Sequence, residues 1–388
     1  MKKIEATYRI VTPMFIGGAN QKAGDGIRPP SFKGALRFWW RALNWGRFQN
    51  LAELHKEEAR LFGAASKKVN GKEVAGQGKF LLSIEPKISA AMFNVTNFSP
   101  RSYMLGQGLW DKGKLTREAV SGSFITKLRF REGVADADIE SIVDALRFLG
   151  LVGGLGSRSR RGWGSVTIER LMIKTKADQD SETVEEIELP SDRASYEEAI
   201  SAYLVNASGL PPFTSFSSAS RAVFLKNEEK DSLKVVDAIG KEMGLYRSWG
   251  YKKRVFGQEA EQNFKPDHDS ILDVTQGISI DAPPERLVFG MPHNYFFSST
   301  KGKVDIPTRP RNNDGGKKQI KRRASPLFVH VHQLPNGKHV GLLLLLASEF
   351  LPEGTKVQIG GSEVPGMVDW TVIEKFMRRD AFMEGGNA

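Results

Sequence analysis

The residues of this chain best equipped for chemistry are arginines and lysines set among glycines. In the segment 28–43, Lys33, Arg37 and Arg41 recur every four residues. That spacing lines them along one face of a helix. Phe32, Leu36, Trp39, Trp40 and Leu43 fall on the adjoining face, where they would pack on a sheet. Arg28 stands at the head of this segment, behind a stretch holding Gly17, Gly18, Gly24 and Gly26. A helix start offers N–H groups and a positive dipole, so phosphate is its natural ligand. A second loop, Gly153 to Gly164, carries Arg158, Arg160 and Arg161 with Ser157, Ser159 and Trp163. Its glycines let backbone approach a ligand, and arginine both pairs with phosphate and stacks on bases. The densest basic run is Lys317, Lys318, Lys321, Arg322 and Arg323, with Arg309 and Arg311 before it. Arg247, Lys252, Lys253 and Arg254 form a further cluster around Trp249 and Tyr251. Solvated faces and flexible turns are the plain alternative for such charges. Against it, three arginines within four residues repel one another unless an anion lies between them. Arg28, Lys33, Arg37, Arg41, Arg158, Arg160, Arg161, Lys317, Lys318, Lys321, Arg322 and Arg323 are therefore the expected nucleic-acid contacts.

Residues for catalysis are sparse. His330 and His332 alternate on an expected strand, and His339 follows the Asn336-Gly337 turn. A two-residue turn would point all three to one face, as a metal site requires, although histidines on a sheet face are more often ordinary polar positions. Asp267-His268-Asp269 reads as a polar turn before it reads as a metal site. His55 stands among Glu53, Glu57 and Glu58, poor company for RNA. Asp136 and Asp138 suit a helix cap, and Asp178 and Asp180 lie in an expected linker. No cysteine is present, which removes disulfides, thiolate zinc sites and cysteine nucleophiles. There is no Gly-x-Ser-x-Gly elbow and no Gly-Lys-Ser/Thr phosphate loop, and the glycine loop precedes a strand, the reverse of a dinucleotide fingerprint. No catalytic residue, metal ligand or cofactor is assigned.

These side chains need elements to hold them. Ile4 to Val11 reads as a strand, and Phe32 to Phe48 as a helix with Ser31 as its cap after Pro29-Pro30. Gly78 to Glu85 reads as a strand ended by Pro86, and Ser123 to Arg131 alternates as another. Asp136 to Leu149 has a helical stripe, capped by Asp136 or Asp138, and Val166 to Ile173 is a last strand. The order is β-α-β-β-α-β, the ferredoxin-like arrangement also used by RNA-recognition modules. The acidic, polar stretch 176–190 reads as a linker. Beyond it come helices near 196–204 and 232–245, a strand at 221–226, and a hairpin of 327–332 with 340–346. The expected fold class is α+β, with two tandem ferredoxin-like (RRM-like, βαββαβ) domains over 1–175 and 191–388, the second more elaborated.

The chain has 388 residues, 26% of them charged, and a formal net charge of +11. That balance suits a globular protein with an anionic partner. No apolar run nears the ~20 residues a spanning helix needs. Residues 1–11 alternate and carry charge, unlike a signal peptide. The expectation is a cytoplasmic protein without a membrane partner.

Two segments carry a family resemblance. Pro30 to Arg37 (Pro-Ser-Phe-Lys-Gly-Ala-Leu-Arg) and Gly153 to Gly164 resemble the helix start and late glycine loop of the RAMP superfamily of CRISPR-associated proteins. With Thr12 to Ala19 and Leu61-Phe-Gly, they are most similar to the family of first-numbered subunits of Cmr (type III-B) effector complexes. The resemblance covers the first half well. It implies tandem ferredoxin-like domains, other Cmr subunits as partners, and a place far from the 5′ tag of the guide. There the subunit would meet the 3′ region of the CRISPR guide RNA, single-stranded target RNA, or both. It also implies that target cutting belongs to a different, repeated subunit. Two rivals remain: a metal-independent endoribonuclease of the same superfamily, and a protein scaffold without RNA contact.

Overall fold

The structure, a computed structural model, describes residues 2–18, 22–65, 68–69, 72–73, 76–111, 113–176, 182–204, 209–297, 300–306 and 322–385. Lys317, Lys318 and Lys321 lie outside the described residues. The strands named below are those of the two large sheets.

β1 (Lys2–Met14) alternates buried and half-exposed residues, with Ile4, Ala6, Tyr8 and Ile10 turned to the core. It lies between β3 (Val120–Phe130) and β4 (Val166–Lys176), antiparallel to both. β2 (Phe80–Ala90) pairs with β3 at one edge. Pro86 sits inside β2 instead of ending it, because a proline on an edge strand costs no ladder bond. β5 (Glu182–Glu186) pairs with β4 at the other edge, within the stretch read as a linker. All five of its residues are exposed, so no buried face existed to imprint a hydrophobic alternation. The order is β2-β3-β1-β4-β5.

Helices α1 (Pro29–Asn44), α2 (Leu51–Phe62), α3 (Pro100–Leu105) and α4 (Asp136–Val152) belong to this half. The sheet holds α4 through Tyr8, which stacks on Phe124 and donates its hydroxyl to the Leu146 carbonyl at 2.9 Å. α1 meets α4 where Trp39 packs on Phe148 and Trp40 donates to Ser141 Oγ at 3.1 Å. Ala135 occupies the cap of α4, while Asp136 and Asp138 in its first turn pair with Lys2 and Arg60.

The second half repeats the succession. After α5 (Arg193–Ser201) come β6 (Arg221–Leu225), α6 (Ser232–Arg247), β7 (Leu327–Gln333), β8 (His339–Leu345), α8 (Thr371–Met377) and β9 (Phe382–Glu384). The order β7-β8-β6-β9 is antiparallel throughout and matches β2-β3-β1-β4 position for position. Between α6 and β7 the chain makes small hairpins and α7 (Lys265–Thr275), packed around Ile271, Leu287, Ile306, Ile359 and Val364. No helix among the described residues is long and apolar enough to cross a membrane.

The halves are stitched through the edge of β7. The Val329 N–H donates to the Arg160 carbonyl at 3.1 Å, and the Gly162 N–H donates to the Val329 carbonyl at 3.0 Å. Val331 and Gln333 donate to Ser165 Oγ and Thr167 Oγ1. The glycine loop of the first sheet thus covers the open edge of the second.

Candidate nucleic-acid interface

The start of α1 differs from the anion-binding helix terminus expected of it. Arg28, not Ser31, occupies the cap, and Pro29 and Pro30 fill the first two helical positions. Prolines have no N–H, and the N–H groups of Ser31 and Phe32 both donate to the Arg28 carbonyl, at 3.0 and 3.1 Å. The ridge is also partly neutralised. Arg37 Nε lies 2.6 Å from Glu58 Oε1, Arg37 Nη1 donates to the Gly63 carbonyl, and Arg41 pairs with the same Glu58 oxygen. Glu58, brought by α2, is 3% exposed. Arg37 and Arg41, expected as phosphate ligands, clamp α1 to α2 through Glu58. Lys33 lies over the Phe80 ring, and burial with Arg37 nearby pulls its ammonium below the usual range.

The glycine loop turns inward. Gly164 has φ +64°, and a Cβ there would meet the Leu155 carbonyl oxygen at 2.1 Å, so only glycine fits. Trp163 is fully buried against Phe15 and Phe93 and offers no face to a base. Arg160 lies between the rings of Phe38 and Phe328, at 5.1 and 4.4 Å, and donates to the Ser325 carbonyl at 2.6 Å. Burial, with Arg323 nearby, pushes its guanidinium down to about 10. Arg161 donates to the Tyr103 carbonyl at 3.3 Å. The mutual repulsion expected of these arginines is met by carbonyl oxygens and ring faces. Arg160, expected as an RNA contact, pegs the two halves together. Arg323 is likewise pinned, with Nη2 2.6 Å from Ser348 Oγ and 3.0 Å from the Glu349 carbonyl.

What remains open is a cleft of about 380 Å³ between the start of α1 and the glycine loop, lined by Arg28, Ser31, Arg117, Gly154, Ser157 and Ser159 among others. Among the described residues no acidic side chain lines it. Arg117 donates to Ser157 Oγ at 3.0 Å. Arg158, at φ +65°, donates to the carbonyls of Leu105 and Gln107. Burial and the charges of Arg322 and Arg117 lower its affinity for its proton. Arg28 and Arg322 are exposed, and no ion pair engages Arg28, Arg117 or Arg322 among the described residues. Arg117 escaped the sequence reading because it stands outside every glycine or basic motif.

The RAMP superfamily profile matches residues 7–167, the span running from β1 through the glycine loop into β4. The CRISPR system Cmr subunit Cmr1-1 of Pyrococcus furiosus is 26% identical over 380 residues, covering 90% of this chain and 87% of that protein. The crystal structure of Cmr1 from Pyrococcus furiosus in its apo form superposes with a TM-score of 0.50 at 19% identity, over 97% of each chain.

The histidines of this chain do not gather. The hairpin loop is Pro335-Asn336-Gly337, closed by Leu334 N–H to the Lys338 carbonyl, with Gly337 at φ +82°. The third loop residue pairs His339 with Gln333, on the opposite face from His330 and His332. His330 shares a proton with the Gly153 carbonyl at 2.9 Å, and burial pushes it down to about 3. His332 stacks on Tyr196 at 3.9 Å. Asp267 is buried and accepts from the N–H groups of Glu285 and Arg286, while Asp269 pairs with Lys265. Among the described residues no group of three or more His, Asp or Glu side chains is placed to hold a metal ion.

Proposed function

We propose that this chain is an RNA-binding, non-catalytic subunit of a type III-B CRISPR (Cmr) effector complex. It holds guide RNA, single-stranded target RNA, or both, in the cleft lined by Arg28 and Arg117, with Arg158 and the exposed Arg322 beside it. The observation that carries the reading is a cleft with unpaired arginines, hydroxyls and glycine backbone, and no acid among its described lining residues. Arginines meeting phosphates make binding steep in salt. The likeness to Cmr1-1 along nearly the whole chain supports the assignment to a complex with other Cmr subunits. The recurring strand order supports reading residues 1–175 and 191–388 as tandem ferredoxin-like domains joined by 176–190, a joint that carries an edge strand.

The nuclease reading loses its best candidates, because His330 and His332 are buried neutral imidazoles that an RNA 2′-hydroxyl cannot reach. Purified chain incubated with labelled single-stranded RNA, followed by filter binding and a denaturing gel, tests the proposal. Intact RNA bound by wild type and released by Arg28→Ala/Arg117→Ala is expected. Cleaved RNA would favour the nuclease, and absence of binding the protein scaffold.

A further inference from the structure

A second cationic group lies deeper, where the glycine loop meets the insertion of the second half. Arg161 comes from that loop, Arg247 from the last turn of α6, and His293 and Tyr295 from the strand His293–Phe296. The Arg247 guanidinium lies 4.2 Å over the Phe289 ring, and its Nε is buried with no hydrogen-bond acceptor among the described residues. Arg161 spends one N–H on the Tyr103 carbonyl. The Tyr295 hydroxyl, also buried, lies beside Arg286 without a hydrogen bond of good geometry.

The charges here do not balance. Among the described residues the carboxylate that pairs with these arginines is Asp267, and it pairs with Arg286 alone. That carboxylate is spent: Oδ1 takes the Glu285 N–H at 2.7 Å, and Oδ2 takes the N–H and Nε of Arg286 at 3.0 and 3.1 Å. Burying two arginines without a counter-charge is costly, and unsatisfied buried donors call for a partner. Burial and the three arginines push the His293 imidazole down to about 3, which is the response of a base in a strongly positive place. Arg161, Arg247 and His293 are each half-buried as whole residues. The group also adjoins the cleft. A Cβ added at Gly106 would lie 3.0 Å from Arg161 Nη1 and 3.6 Å from Arg158 Nη2, so no side chain separates the two arginines there.

We propose that Arg161, Arg247, His293 and Tyr295 form a binding site for a phosphate group. Two guanidinium groups, an imidazole N–H and a phenol supply the donors that three phosphate oxygens require. Arg286 is held by Asp267 and positions the Tyr295 ring. The phosphate belongs either to the RNA of the proposed function, in which case the site rests on that reading, or to a free oxyanion, in which case it does not.

The test uses the full chain and inorganic phosphate. Thermal unfolding is followed across a phosphate titration, against chloride at equal ionic strength, for wild type, Arg247→Met and Tyr295→Phe. Wild type should gain stability with phosphate, Arg247→Met should lose the response, and Tyr295→Phe should weaken the apparent affinity several-fold. Tyr295→Phe removes only a hydroxyl without a hydrogen bond, so it keeps the test sound if Arg247→Met fails to fold. RNA binding of Tyr295→Phe and competition by inorganic phosphate then separate the sources. Weaker RNA binding and displacement by phosphate indicate an RNA phosphodiester; unchanged RNA binding indicates a free oxyanion. A wild type equally stable in phosphate and chloride, with RNA binding untouched by Tyr295→Phe, overturns the site. Such a protein that still binds RNA through Arg28 and Arg117 leaves the proposed function standing, whereas a phosphate response without RNA binding does the reverse.

Discussion

Replacing Glu58 with Gln should loosen the first half while leaving RNA binding intact. Glu58 takes charge-assisted hydrogen bonds from both Arg37 and Arg41. Each such bond is worth about 1.5–3 kcal/mol when the partner is ionised. The arginine side chains keep 28% and 32% of their exposure. Water therefore takes over part of their solvation, and the loss falls to about 2–3 kcal/mol for the pair. If the first half unfolds as a unit, that lowers its thermal midpoint by roughly 4–12 °C. Calorimetry or circular dichroism reads the midpoint, and a double-mutant cycle with Arg37→Gln/Arg41→Gln isolates the coupling. A change below about 0.5 kcal/mol, within the ordinary range for surface positions, would refute the clamp. So would a large loss of RNA affinity in Arg37→Gln/Arg41→Gln, because it would show that the ridge is a ligand surface after all.

Gly164→Ala should abolish stable folding, since the left-handed φ costs about 1–2 kcal/mol for a residue with a Cβ and the Leu155 carbonyl blocks the added atom; soluble yield and urea unfolding measure it. Lowering the pH should destabilise the protein through His330, whose folded value of about 3 lies below its unfolded 6.5. The unfolded state binds the proton first, so stability is full above pH 6.5 and falls by about 1.4 kcal/mol per pH unit between 6.5 and 3 for this one group. Urea midpoints from pH 7 to 5 should show the slope in wild type and a shallower one in His330→Gln.

The parts of the fold legible in the sequence were those with a one-sided environment. Strands β1 and β3 and helices α1 and α6 bury one face and expose another, so period alone places them. Glu182–Glu186 has no buried face, and its acidic run read as linker. The basic residues were easy to find and hard to interpret. Four-residue spacing places Arg37 and Arg41 on one face but cannot say that Glu58 lies against it. A loop of glycines and arginines looks the same whether its arginines reach a phosphate or, like Arg160, a carbonyl in the other half. One extra residue in the 335–337 turn moved His339 to the far side of its sheet, a difference that a turn motif does not resolve.

The account turns on which arginines meet RNA, and the salt dependence of binding measures that directly. Single-stranded RNA is titrated with wild type, Arg28→Ala/Arg117→Ala/Arg322→Ala and Arg37→Gln/Arg41→Gln across a chloride series. Three lost phosphate contacts should make the slope of log affinity against log salt shallower by about 2 in the cleft variant. The ridge variant should keep the wild-type slope. Equal slopes for wild type and the cleft variant, with the loss appearing in the ridge variant, would contradict the account.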